Sequence, residues 1–276
     1  WTKCYNICNK NLYSSHPYKR DVIGTPEIIS RLTREDIDNY YRKFYTPKNV
    51  TTIVVGDFNH DLVLNTLCEK FDFPNRIENE NRVNNIDTPV SETKYIETKS
   101  NVQTGYMMFG WLGPRAAELK DSICLDLISI IFGDGSSSRL QQNLIEKLPE
   151  QIFNMIGSEH YQFKDGNNFF IQANFKPEYK EKALELVKQE LANLLTNRIT
   201  EEELAKAKKR TKSRFAYAAE TVSEIGETIG YYVTVCDDLK LIEDYLAYLD
   251  SITVDDLENA IKKYLSLNNS VISVLM

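Results

Sequence analysis

The chain has 276 residues, 42% hydrophobic and 26% charged, with a formal net charge of −7. That is the make-up of an ordinary globular protein, long enough for about two domains. No apolar run approaches the ~18 residues of a membrane span, and an acidic balance argues against nucleic acid as a partner, whose backbone calls for a basic face.

At the N-terminal end, Cys4 and Cys8 are one helical turn apart. No Cys or His pair follows at zinc-ligand spacing, so they read as neighbours on a helix and not as half of a metal site. The five cysteines, Cys4, Cys8, Cys68, Cys124 and Cys236, are odd in number and scattered, which is not a disulfide framework. Free thiols point to a reducing, cytoplasmic compartment, with the periplasm as the alternative. Thr33 and Asp36 form a capping-box pattern that starts a helix running to about Phe44, and Pro47 stops it. Val50 to Val55 is a β-branched run and reads as a buried strand. A second helix, Asp61 to Phe71, carries Leu64, Leu67, Cys68 and Phe71 at helical spacing. Pro74 to Pro89 is polar, Asn-rich and bounded by prolines, the composition of a linker.

Beyond it come strand patterns at Tyr95–Thr98 and Gln103–Leu112, then a strongly apolar helix from Leu119 to Phe132. A Gly-Asp-Gly-Ser-Ser-Ser loop and a helix from Arg139 to Lys147 follow. Two more strands, near Phe153–Tyr161 and Phe169–Phe175, are joined by a turn at Lys164-Asp165-Gly166. Helices are expected over Glu178–Thr196, Glu201–Ala219, Val222–Cys236, Leu241–Leu249 and Val254–Leu265, with a full capping box at Thr200 and Glu203 and a last strand at Val271–Leu275. Strands grouped apart from helices predict an α+β fold, with an antiparallel sheet and helices packed on one face. The aromatics Tyr106, Phe109, Trp111, Phe169 and Phe170 read as core. The basic stretch Lys206 to Arg214 reads as ordinary helix-face charge, since Glu201, Glu202 and Glu203 precede it.

One stretch occurs twice. Leu32 to Val55 aligns without a gap on Ile252 to Leu275, an offset of 220 residues, matching Thr33 with Thr253, Asp36 with Asp256, Ile37 with Leu257 and Asn49 with Asn269. Each copy is a capped helix followed by a strand, and each would close a domain. The division expected is 1–73 for the end of a first domain, 74–91 for the linker and 92–276 for a complete second domain. On this reading the first domain begins before Trp1.

His16-Pro17-Tyr18, Gly24-Thr25, Tyr45-Thr46-Pro47-x-Asn49 and Val55-Gly56-Asp57, together with Phe132 to Lys147, resemble the M16 metallopeptidase family, the pitrilysin, insulinase and mitochondrial processing peptidase group. The resemblance runs over essentially the whole chain and implies duplicated α/β domains. It also implies a zinc endopeptidase acting on peptides or unfolded polypeptides in a closed chamber, paired as a homo- or heterodimer with another such subunit. In that mechanism His-x-x-Glu-His on a helix supplies two zinc ligands and a general base. The motif is absent here. The histidines are His16, His60 and His160, and none is expected to hold metal. The second domain's counterpart of the zinc helix, Leu119 to Phe132, carries apolar or small residues at the ligand positions, so that domain is expected to be catalytically silent and no cofactor is expected in the chain.

The resemblance further implies that in active members the second domain, or a second subunit, supplies an Arg and a Tyr near the substrate carbonyl; here those places hold Ile145 and the stretch Gln151–Met155 with Phe153, so that oxyanion contact is missing. The resemblance also makes Gly133, Gly135, Ser136, Ser137 and Arg139 candidate substrate contacts through the glycine-rich loop. A helix-to-helix turn that needs small residues is the other reading. No Gly-Lys-Ser/Thr makes it a phosphate loop, and there is no nucleophile elbow. The function expected is the non-catalytic C-terminal region of a zinc metalloendopeptidase, forming part of the peptide chamber and a partner interface. An inactive M16-like scaffold or chaperoning subunit is the alternative.

Overall fold

The computed structural model describes residues 1–71 and 87–276. Five strands, β1 (Lys94–Thr98), β2 (Gly105–Leu112), β3 (Phe153–Tyr161), β4 (Asn168–Phe175) and β5 (Val271–Leu275), form one sheet in the order β1-β5-β2-β4-β3. The helices are α1 (Thr2–Leu12), α2 (Pro26–Ile29), α3 (Arg34–Phe44), α4 (His60–Lys70), α5 (Leu119–Phe132), α6 (Arg139–Gln141, widening to a π turn at Gln142–Glu146), α7 (Lys180–Thr196), α8 (Glu201–Tyr217), α9 (Val222–Thr234), α10 (Lys240–Ser251) and α11 (Val254–Tyr264). The class is α+β, as expected. The sheet is mixed, since β5 runs antiparallel to β2 but parallel to β1.

β2 and β5 carry nearly unbroken apolar runs because both faces of the sheet are covered. Met107, Phe109 and Trp111 of β2 and Ile272 and Val274 of β5 join the large core with α5, α7, α8 and α11. Their alternate neighbours, Met108, Leu112, Val271 and Leu275, meet Cys4, Cys8 and Leu12 of α1 on the reverse face. The expectation of helices on one face is therefore incomplete. α1 comes so close to the sheet at Gly110 that an added Cβ would stand 2.8 Å from Cys8 Sγ and 2.8 Å from the Phe170 ring. Polar groups under α1 are satisfied: Tyr13 OH donates to Asn168 Oδ1 (2.5 Å), and Asn168 Nδ2 to Asn9 Oδ1 (2.9 Å). The His-Pro-Tyr segment caps a short turn here, His16 Nδ1 accepting from the Tyr18 N–H at 3.2 Å.

The expected linker at 74–91 lies outside the described residues up to 86. At its far end Asp87 ties the chain back to the segment after α1, accepting from Ser14 Oγ (2.5 Å), Ser15 Oγ (2.9 Å) and the His16 N–H (2.8 Å).

The repeated sequence takes one local form and two tertiary fates. α3 and α11 have the same capping box, with Thr33 and Asp36 or Thr253 and Asp256 exchanging bonds of 2.9 and 3.2 Å. α11 buries Val254, Leu257, Ala260, Ile261 and Tyr264; α3 buries none of its residues. Val271–Leu275 pairs on both sides, whereas the matching stretch, expected as the strand Val50–Val55, belongs to no sheet. A strand needs a neighbour for its backbone groups, and among the described residues this stretch has no strand beside it; Ile53 and Val55 rest instead near Gly230 and Gly226 of α9. Smaller differences are the start of β2 at Gly105 and the π turn that interrupts the helix expected to reach Lys147.

Two outcomes are expected. Leu257 is fully buried and its repeat partner Ile37 is 60% exposed, so Leu257→Ala should cost about 2–5 kcal/mol and Ile37→Ala about 0.5 kcal/mol or less, measured by urea unfolding. Burial raises the Asp87 carboxyl, but the bonds from Ser14, His16 and Ser15 outweigh it and hold it at about 2 against an ordinary 3.8. Stability from a carboxyl lowered in this way is present above pH 3.8 and lost as pH falls towards 2. Urea midpoints across that window should show Asp87→Asn losing its disadvantage as the native protein loses the clamp.

Candidate functional site

An open groove of about 1010 Å³ is walled by α5, the edge strand β3, the second half of α8, α9 and α10. Its polar floor starts from Asp126, the one charged residue between Ile123 and Phe132. Asp126 Oδ1 lies 2.7 Å from His160 Nδ1, and Asp126 Oδ2 accepts from Gln162 Nε2 at 2.7 Å. Gln162 Oε1 accepts from the Tyr231 hydroxyl. The His160 side chain is 0% exposed and its Nε2 has no partner, a condition shared on the same groove by Thr211 Oγ1. Burial pushes the Tyr231, Tyr232 and Tyr245 hydroxyls up, so all three stay protonated at neutral pH.

Glu159 and Glu227 also line the groove. Glu159 is held by Gln172 Nε2 at 2.7 Å and by the Tyr161 hydroxyl. The cation of the groove, Arg214, is spent on Asp134 at 2.7 Å.

The candidate loop is placed as follows. Gly133 lines the groove and lies against β3, where an added Cβ would fall 2.1 Å from the Ser158 nitrogen. Gly135, Ser136 and Ser137 are exposed, and Ser137 opens on a smaller cavity of about 430 Å³ behind the loop. Asp134 pins the loop through Arg210 (2.8 Å) and Arg214 (2.7 Å). Arg139 is turned away: Glu203 takes it in a two-bond fork of 2.7 and 2.8 Å, and the carbonyls of Asn197 and Arg198 accept at 3.0 and 3.1 Å. Much of the basic face of α8 is likewise consumed, with Lys208 on the carbonyls of Asp250 and Ile252 and Lys212 on Asp250. Ile145 packs on the core and Phe153 is buried within it.

The residues do not fit a zinc ion. Among the described residues no three His, Cys, Asp or Glu side chains stand together as a metal site. α5 turns Ile123, Cys124, Leu127 and Ile128 into the core, and burial pushes the Cys124 thiol up to about 12, away from the thiolate a metal needs. His16 and His60 lie elsewhere, His16 near Asp165 (3.6 Å) and His60 near Asp61 (3.7 Å). Sequence reasoning passed over Asp126, Gln162, Thr211 and Tyr231, and weighed His160 only as a metal ligand. The signal that could have found them was Asp126, a carboxylate within the apolar part of α5 that needs a buried partner.

Comparisons with known proteins identify the family and the fold. The family profile for the peptidase M16 inactive domain matches residues 31–211. A zinc protease, PqqE, of Helicobacter pylori is 28% identical over 91% of this chain and 57% of its own length. The crystal structure of a protease from Helicobacter pylori superposes with a TM-score of 0.86 at 26% identity, covering 97% of this chain and 65% of that one. A peptidase M16 inactive domain from Pseudomonas fluorescens gives 0.84 at 22% identity, over 99% and 65%, a likeness of fold. The chain thus spans about three fifths of the length of the curated relatives it matches.

Gly133→Ala should push β3 from α5 and break the 3.0 Å bond from Ser158 Oγ to the Ser129 carbonyl. A loss of about 1–3 kcal/mol is expected for such overpacking, read by thermal or urea unfolding.

Proposed function

Because this chain belongs to the peptidase M16 family, we propose that it forms the non-catalytic wall of a peptide-binding chamber in a longer zinc metallopeptidase. The observation that carries the reading is the open groove beside the edge strand β3, on a domain whose α5 packs apolar side chains where a zinc helix would carry ligands. An edge strand offers unpaired backbone groups to an extended polypeptide, so the substrate class is a peptide or an unfolded segment. Zinc, the general base and the water to be activated belong to the part of the protein that carries His-x-x-Glu-His. Residues 92–276 act as the silent domain and 1–73 as the end of the first. The apolar side chains left open on α2, α3 and α4, including Ile28, Ile37, Leu62 and Leu64, are covered by the rest of that domain, and a second M16-like subunit closes the chamber. Gly133 and Ser137 border the path of the substrate. Ile145 and Phe153 supply no donor to a tetrahedral intermediate, so those donors come from the partner subunit.

The test compares this chain with the longer protein on a quenched fluorogenic unfolded polypeptide. The chain alone should cleave nothing, and stoichiometric zinc should leave its Tm unchanged. The longer protein should cleave, and a chelator should stop it. Cleavage by the chain alone, or a zinc-dependent rise in its Tm, would overturn the silent-wall assignment. A longer protein that holds no zinc and cleaves nothing would put the scaffold reading in its place.

A further inference from the structure

The basic stretch of α8 leaves two cations over. Lys208 and Lys212 are taken up at Asp250 and Ile252, and Arg210 and Arg214 at Asp134. Among the described residues, the ammonium groups of Lys206 and Lys209 have no ion pair or hydrogen bond. Both side chains are exposed, and both border the cavity of about 430 Å³ behind the glycine-rich loop. Positions three apart share a helix face, so the two charges stand over one mouth. An exposed lysine pair alone is an ordinary solvated face. The second observation is the cavity beneath it. Its floor is Ile130 and Ile131 of α5 and Ala207 of α8, and the last two are buried. Its carboxylates are spent, Glu203 on Arg139 and Asp134 on Arg210 and Arg214. Ser137 opens on the same space from the loop. The volume falls in the range of small-molecule sites, about 300–1,000 Å³. This lining asks for two properties in one ligand. An apolar body displaces water from the floor, and a negative group meets the lysines at the rim. Lysine suits such a rim, because its stem covers apolar surface while its ammonium stays in water. Inorganic phosphate leaves the floor uncovered, a plain hydrocarbon leaves the lysines unpaired, and an amine is repelled.

We infer that this cavity binds a small apolar monocarboxylate. The hydrocarbon body sits on Ile130, Ile131 and Ala207, and the carboxylate accepts from Lys206, Lys209 and the Ser137 hydroxyl. The site is separate from the groove beside β3: Thr211, Arg214 and Phe215 of α8 face the groove, whereas Lys206, Ala207 and Lys209 face this cavity. It stands independently of the chamber-wall reading.

The probe is octanoate below its micelle concentration, compared with 1-octanol, octylammonium and inorganic phosphate. Binding is read by NMR on this chain, from the methyl groups of Ile130 and Ile131 and the amides of Ser136 and Ser137. Octanoate should bind about tenfold tighter than octanol at low salt, because two ammonium groups add to the same apolar contact. Its affinity should fall as salt is raised. Lys206→Gln and Lys209→Gln should each lower it about threefold and leave octanol binding unchanged. Both lysines are exposed, so neither variant should shift the Tm. Octanol or phosphate binding as tightly as octanoate would overturn the inference, as would tighter binding of octylammonium. Shifts confined to residues outside this cavity, or full octanoate affinity in the double variant, would also overturn it. Absence of octanoate binding would remove the site and leave the chamber wall standing.

Discussion

Val271–Leu275 is a strand because β1 and β2 flank it, one parallel and one antiparallel, and take up its backbone hydrogen bonds on both edges. From that pairing the rest follows. With β5 fixed, the turn at Leu267–Asn269 and α11 before it are held, and α11 lays Leu257, Ala260 and Ile261 on the core shared with α5 and α7. α5 in turn separates the sheet from α8 and α10, so the groove between β3 and those helices inherits its width from the sheet. The sheet can be this apolar only because α1 closes its reverse face, and Tyr13, Asn168 and Asn9 satisfy the polar groups trapped there.

A helix that presents metal ligands has to keep polar atoms at the cavity. α5 instead spends its face on Ile123, Leu127 and Ile128, and the carboxylate it sets at the groove is Asp126, while Asp121 is taken by Lys263 and Tyr264. Asp126 orients His160 and Gln162, and Gln162 orients Tyr231. A buried network of this kind orients its members, and here it leaves His160 Nε2 without a partner.

Much of the fold was legible in the sequence. Periodicity and caps placed the helices, and the loop and turn signals came from Gly and Pro. The glycine-rich loop was legible as a loop, yet its use was not. Gly133 is required by the approach to Ser158, and Arg139 by Glu203 on α8, a partner 64 residues away in the chain. The polar floor was illegible for the same reason, since Asp126, His160 and Tyr231 come from α5, β3 and α9 and share no local pattern.

The repeat separates the two kinds of information. By itself the sequence determined the helix of each copy: the Thr-x-x-Asp cap closes within one turn, so α3 and α11 form the same box whatever surrounds them. The strand of each copy was decided only by tertiary structure. Val50–Val55 has the composition of a strand as surely as Val271–Leu275, but a strand's hydrogen bonds go to another part of the chain, and among the described residues only the second copy has strands alongside to receive them. The same holds for the groove, whose walls are assembled by the sheet and whose chemistry therefore exists only in the folded protein.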